Sequence, residues 1–68
     1  MSETVKVIEL MGTSDRSWEH AAQNALDDAE DTLDRISGVK IHSQTANVEN
    51  GQIQEYKTTL HVSFALER

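Results

Sequence analysis

The side chains able to ligate an ion, hold a charge or hydrogen-bond a ligand fall into three groups. His42 and His61 occupy two segments of alternating polar and apolar character, at positions that put both imidazoles on the polar side. Lys40, Gln44 and Lys57 share that side. Asp27, Asp28, Glu30, Asp31 and Asp34 lie mostly off the apolar stripe of a helical segment. Two neighbouring imidazoles can share a metal ion. The lysines can hold an anion or a carboxylate of another copy, and converging carboxylates suit hard cations such as Ca²⁺ or Mg²⁺. A plainer role stands beside each: polar residues at a subunit contact, ion pairs between subunits, and a solvated helix face. No catalytic arrangement accompanies them. The chain has no Cys, helix capping accounts for Ser14 and Ser17, and no carboxylate pair stands in an apolar setting. The chemistry on offer is binding, not turnover, so no enzyme is expected.

The elements that must position these residues follow from pattern. Tyr56, Thr58, Leu60, Val62, Phe64 and Leu66 alternate with Lys57, Thr59, His61, Ser63 and Ala65. That is a strand with one apolar and one mostly polar face. Val5 to Met11 reads as a short strand with apolar residues on both faces, which implies cover on both. Gly12-Thr13-Ser14-Asp15 reads as a turn and helix start, with Thr13 or Ser14 as the cap. Trp18, Ala21, Ala22, Ala25, Leu26, Ala29, Leu33 and Ile36 then recur at helical spacing. The spacing predicts a helix reaching Ile36, with Gly38 in the left-handed turn beyond it. Four alanines in the stripe imply close approach to a sheet. Trp18, Tyr56 and Phe64 are expected in the core or a subunit contact, and His20 is expected to be exposed.

Val39 to Ala46 is a further strand, and Asn50-Gly51 is a strong hairpin signal. With those two residues as the loop, Glu49 faces Gln52, and Ser43, Ile41 and Val39 face Thr58, Leu60 and Val62. The apolar faces then coincide. The same register sets Gly38, Lys40, His42 and Gln44 against Lys57, Thr59, His61 and Ser63. His42 faces Thr59, with His61 on the diagonal, about 7–8 Å away at Cα. The expected fold class is α+β: β-α-β-β, a three-stranded antiparallel sheet with the last strand central and one helix packed across one face. Residues 1–68 are read as one domain.

A chain of 68 residues buries only about 60% of its unfolded surface. Without Cys, disulfides and thiolate metal sites are excluded. Self-association is the expected support. Six basic against twelve acidic residues give a net charge of −6. That surface repels phosphate backbones, so no nucleic-acid partner is expected. No stretch approaches the roughly 20 apolar residues of a membrane helix, and the N-terminus has no basic-plus-apolar signal pattern. The expectation is a soluble, cytoplasmic chain with no membrane partner.

Four segments together carry a resemblance: Lys6-Val7-Ile8-Glu9-Leu10-Met11-Gly12-Thr13-Ser14, Trp18 with Ala21-Ala22, Ala25 through Leu33, and Tyr56 ahead of Val62-Ser63-Phe64-Ala65-Leu66-Glu67. Over essentially its whole length the chain resembles the dodecin family. The resemblance implies a β-α-β-β protomer, twelve copies in a hollow shell, and flavin bound in pairs at protomer contacts for storage. In the family, a Trp just after the helix stacks on the isoalloxazine ring and a Gln on the last strand hydrogen-bonds it. Here the matching positions are Gly38 and Lys57. The implied function is therefore a homo-dodecameric binding and sequestering protein with a degenerate flavin site at Gly38, Gln44 and Lys57. Its ligand would be riboflavin, FMN or FAD. The alternative is an ion-binding or purely structural shell that holds a divalent cation, with His42 and His61 as candidate ligands.

Overall fold

The computed structural model describes residues 4–66. The closing Glu67 of the C-terminal motif lies outside them. Strand β1 (Val5–Ser14) leads to helix α1 (Trp18–Glu30), then to strands β2 (Ile36–Glu49) and β3 (Gln52–Ala65). The strands form one antiparallel sheet in the order β1-β3-β2. The β-α-β-β class, the central last strand and the single helix across one face are all as the pattern predicts.

Both helix ends differ from the expectation. β1 does not stop at Met11: Thr13 and Ser14 continue the ladder opposite Lys57 and Tyr56. The cap is therefore Ser17, whose Oγ accepts from the His20 N–H at 3.0 Å. Gly12 serves helix packing, not a turn. A Cβ there would overlap the Ala21 carbonyl oxygen and sit 2.9 Å from the Ala25 Cβ. At the other end the helix stops at Glu30, with Asp31 as its C-cap. Arg35, at φ 63°, holds the left-handed position expected of Gly38. Ile36 keeps its helical spacing in the sequence but opens β2, pairing with Phe64 and packing on the core.

The core is thin. Ala21, Ala25, Ala29, Leu60 and Val62 are its buried hydrophobic residues among those described. Ile8, Leu10, Ala22 and Ile36 pack against it. The fully buried Thr58 satisfies its hydroxyl by donating to the Trp18 carbonyl at 2.8 Å. The helix lies over β1 and β3 and reaches β2 chiefly at its first turn, leaving most of that strand open. Val39 and Ile41 on β2 remain 44% and 46% exposed, and Val7 and Met11 on the far face of β1 more so. The radius of gyration is 14.1 Å, against about 11 Å for a compact chain of this length. The protomer is an elongated slab with apolar surface to spare.

Asn50 and Gly51, at φ 53° and 76°, make the expected left-handed hairpin turn. The register holds at Glu49↔Gln52, Ile41↔Leu60 and Val39↔Val62. It breaks at Ser43, which pairs with Thr59 and not Thr58, because His42 is an extra residue in the ladder.

Candidate functional site

The extra residue at His42 decides where the candidate residues go. A bulge puts two consecutive residues on one face and reverses the alternation beyond them. Lys40 pairs with His61, and Ser43 with Thr59, so both belong to the open face. His42 joins them. It does not face Thr59 but stacks on His61, with ring centroids 4.9 Å apart and planes inclined by 20°. On the far side of His61, its Nε2 lies 4.0 Å from Glu9 Oε1. Glu9, His61 and His42 thus form a row across all three strands.

Gln44 is carried the other way. It pairs with Thr58 and lines the cleft between helix and β2, beside Trp18, Leu26 and Ile41. The expectation that it shares a face with Lys57 is therefore corrected. Lys57 pairs with Thr13 and Thr45 at one end of the open face, and Gly38 pairs with Ser63 near the other. Six strand residues, or about 20 Å, separate Ser63 from Lys57. One protomer does not bring Gly38, Gln44 and Lys57 together, so any ligand touching all three spans more than one copy.

Gly38 opens a shelf on the sheet. A Cβ there would meet only Ser63 Oγ, at 3.4 Å. The space above is a shallow cavity of about 420 Å³ bounded by Val7, Gly38, Val39, Lys40, His61 and Ser63. Apolar walls with one cationic and one imidazole edge suit a flat ligand carrying an anionic or hydrogen-bonding group. The helix carboxylates point elsewhere. Asp27 and Asp28 border a polar hollow of about 440 Å³ beside Gly12 and Thr13, where Asn24 Nδ2 donates to the Thr13 carbonyl at 2.9 Å.

Two other expectations change. His20 is half-buried, not exposed, and its Nδ1 shares a 2.6 Å hydrogen bond with Ser14 Oγ. The extension of β1 to Ser14 brings that hydroxyl under the first helical turn. Trp18 is half-buried at the end of the core. It meets Tyr56 edge-on at 4.8 Å, and its Nε1 donates to the Thr45 carbonyl at 2.8 Å, pinning the helix start to β2. Sequence reasoning missed this corner, since its partners are distant in the chain. It also missed the stack of His42 on His61, for which a signal existed: the apolar positions of β2 change from odd (Val39, Ile41) to even (Ala46, Val48).

A β-α-β-β protomer with one dressed and one bare sheet face defines a small class of proteins. A model of the dodecin family matches residues 4–67, and the chain belongs to that family. It is 38% identical to the calcium dodecin of Mycobacterium tuberculosis over 61 residues, 90% of this chain and 86% of that protein. It is 33% identical to the dodecin of Thermus thermophilus over 67 residues, 98% of this chain and 97% of that one. Among solved structures, an arginine-to-alanine mutant of the T. thermophilus dodecin superposes with a TM-score of 0.94 at 33% identity, covering 98% of both chains. The calcium-chelating antigen calcium dodecin of M. tuberculosis, described with a novel calcium-binding site, superposes at 0.82 with 38% identity, covering 94% of this chain and 91% of that one. Among the described residues, no helix is long and apolar enough to cross a membrane.

Proposed function

We propose that this protein is a cytoplasmic, non-enzymatic binding and sequestering protein that forms a hollow homo-dodecamer and takes a flavin-type ligand in an altered site. The Gly38 shelf carries the reading. It is an apolar ledge in a member of the dodecin family, left open at the position where the resemblance implies a stacking indole. A flavin ring that reaches both Gly38 and Lys57 has to lie between copies, and the uncovered apolar residues of β1 and β2 give those copies a reason to associate. Loss of the ring removes about 1–3 kcal/mol per stacked face, by analogy with base–aromatic stacking. Lys57 donates to a ring carbonyl but accepts nothing from a ring N–H. Flavin is therefore held weakly, or in another pose.

The test combines native mass spectrometry with riboflavin fluorescence. The expected result is a twelve-copy mass and weak quenching that strengthens about tenfold or more in an assembled Gly38→Trp/Lys57→Gln variant. A monomeric wild-type protein, or an assembled double variant with no gain in quenching, overturns the reading. A second reading, an ion-binding shell without an organic ligand, is favoured by one observation: the relative at 38% identity is a calcium dodecin. Bound Ca²⁺ by elemental analysis in protein that quenches no flavin supports that reading instead.

A further inference from the structure

We infer that Lys40 makes the Gly38 shelf selective for flat aromatic anions, so that a ring carrying a phosphate or a carboxylate is taken in preference to its uncharged counterpart. This rests on the shelf being the ligand site proposed above, though not on that ligand being a flavin. The chain carries twelve acidic and six basic residues, and its hollows reflect the excess. Glu19 borders the cleft between helix and β2, Asp27 and Asp28 border the hollow beside Gly12, and Glu49 and Glu55 border one at the hairpin. The shelf differs. Val7, Gly38, Val39, Lys40, His61 and Ser63 bound it, with one ammonium and no carboxylate among them.

The geometry leaves that ammonium available. Gly38 pairs with Ser63 and Lys40 with His61, so the two β2 positions share the open face. They stand two residues, or about 6–7 Å, apart along the strand. Lys40 is exposed, and among the described residues it makes no ion pair or side-chain hydrogen bond. Glu9, the acid in the same row, stands on β1 beyond His61. Two strand spacings, or about 10 Å, separate it from Lys40. Ser63 is already committed, since its Oγ donates to the Gly38 carbonyl at 3.1 Å.

Each part of the shelf then has a separate task. Val7 and Val39, 57% and 44% exposed, gain by covering an aromatic ring. The ammonium is a compact charge with three donors, suited to a phosphate or carboxylate oxygen. The imidazole of His61 stacks on His42 and turns its Nε2 toward Glu9, which leaves Lys40 as the cation. Among the described residues no group of three His, Asp or Glu is placed to hold a metal ion, so the row offers the shelf a charge and not a coordination centre. The overall field works the other way. A chain of net charge −6 repels anions, and on that ground alone the neutral ring would bind better. A preference for the anion therefore reports a local cation.

Two matched pairs of ligands test this on the assembled protein. Riboflavin is compared with riboflavin 5′-phosphate by fluorescence quenching, and 2-naphthylmethanol with 2-naphthoate by calorimetry. The expected result, in whichever pair binds, is a preference for the anion of about three- to fivefold, the upper range for an exposed ion pair. Lys40→Gln abolishes the preference and Lys40→Arg keeps it. Lys6 pairs with Phe64, one step from the Val7↔Ser63 pair and so on the other face, and Lys6→Gln leaves the preference unchanged. Native mass confirms that each variant is assembled. A preference in the naphthalene pair with no quenching of either flavin upholds the role of Lys40 and removes the flavin. Equal affinities within both pairs, tighter binding of the uncharged members, no binding of any of the four, or a preference retained in Lys40→Gln overturns the inference.

Discussion

β3 pairs with a neighbour on each side, and the two ladders differ. Toward β1 the register runs unbroken through ten pairs, from Val5↔Ala65 to Ser14↔Tyr56. Toward β2 it shifts three times, between Ile36 and Gly38, Ile41 and Ser43, and Asn47 and Val48. The regular ladder lies under the helix, where Leu60 and Val62 pack against alanines and a slip of one residue would turn the core outward. The irregular ladder has little helix above β2 to enforce one alternation. Bulges are tolerated there, and the Gly38 shelf and the stacked imidazoles both sit on that side. Regularity goes with the packed ladder and candidate chemistry with the unpacked one.

Glycine substitutions should separate the two ladders most sharply. Gly12→Ala drives a methyl into the Ala21 carbonyl and the Ala25 side chain, and is expected to cost about 3 kcal/mol or more. Gly38→Ala, with a hydroxyl at 3.4 Å as its nearest neighbour, is expected to stay within about 0.5 kcal/mol. Urea unfolding of both would break the comparison if the costs were equal. Next is the central strand itself. Leu60→Ala removes a fully buried side chain and is expected to cost about 3 kcal/mol, whereas the adjacent His61→Ala on the open face costs under about 1 kcal/mol. Retained assembly of Leu60→Ala by size-exclusion chromatography would show that the helix-covered face is not the core. At the hairpin tip, Gly51→Ala places a methyl at φ 76° and is expected to cost about 1 kcal/mol, seen as faster amide exchange confined to β2 and β3. The smallest effect is electrostatic. With −6 on each chain, lowering salt lengthens the screening distance, and light scattering should show weaker association at 10 mM than at 500 mM salt.

The sequence was most readable where one force set the pattern. β3 alternates because one face is buried, and Asn50-Gly51 turns because both residues adopt positive φ. The helix boundaries were misread because local signals competed. Thr13 and Ser14 are good caps, but their backbones have partners on β3 and Ser17 is free to cap. Leu33 and Ile36 keep the helical phase, and residues 31–35 contain neither Gly nor Pro to mark the stop. Tertiary pairing of Ile36 with Phe64 decides that end. The three ladder shifts were present as changes of parity in the apolar positions. These run from Ile36 to Val39, from Ile41 to Ala46, and from Ile53 to Tyr56. Reading β2 at a constant register put Gln44 on the wrong face and hid the imidazole stack. The Trp18–Tyr56–Thr45 corner had no local signature, since Thr45 lies 27 residues from Trp18 and Tyr56 further still.

Placing the last strand in the middle also governs when the molecule can fold. Ser14 meets Tyr56 and Val5 meets Ala65, so β1 must wait for residues synthesised 42 to 60 positions later. The β2–β3 arm, closed by a two-residue turn, zips early and locally. Until β3 has been synthesised, β1 stays unpaired, because β3 is its partner strand. Folding here is a late docking of the oldest segment onto the newest, and the window before it closes is when the chain most needs protection from wrong neighbours.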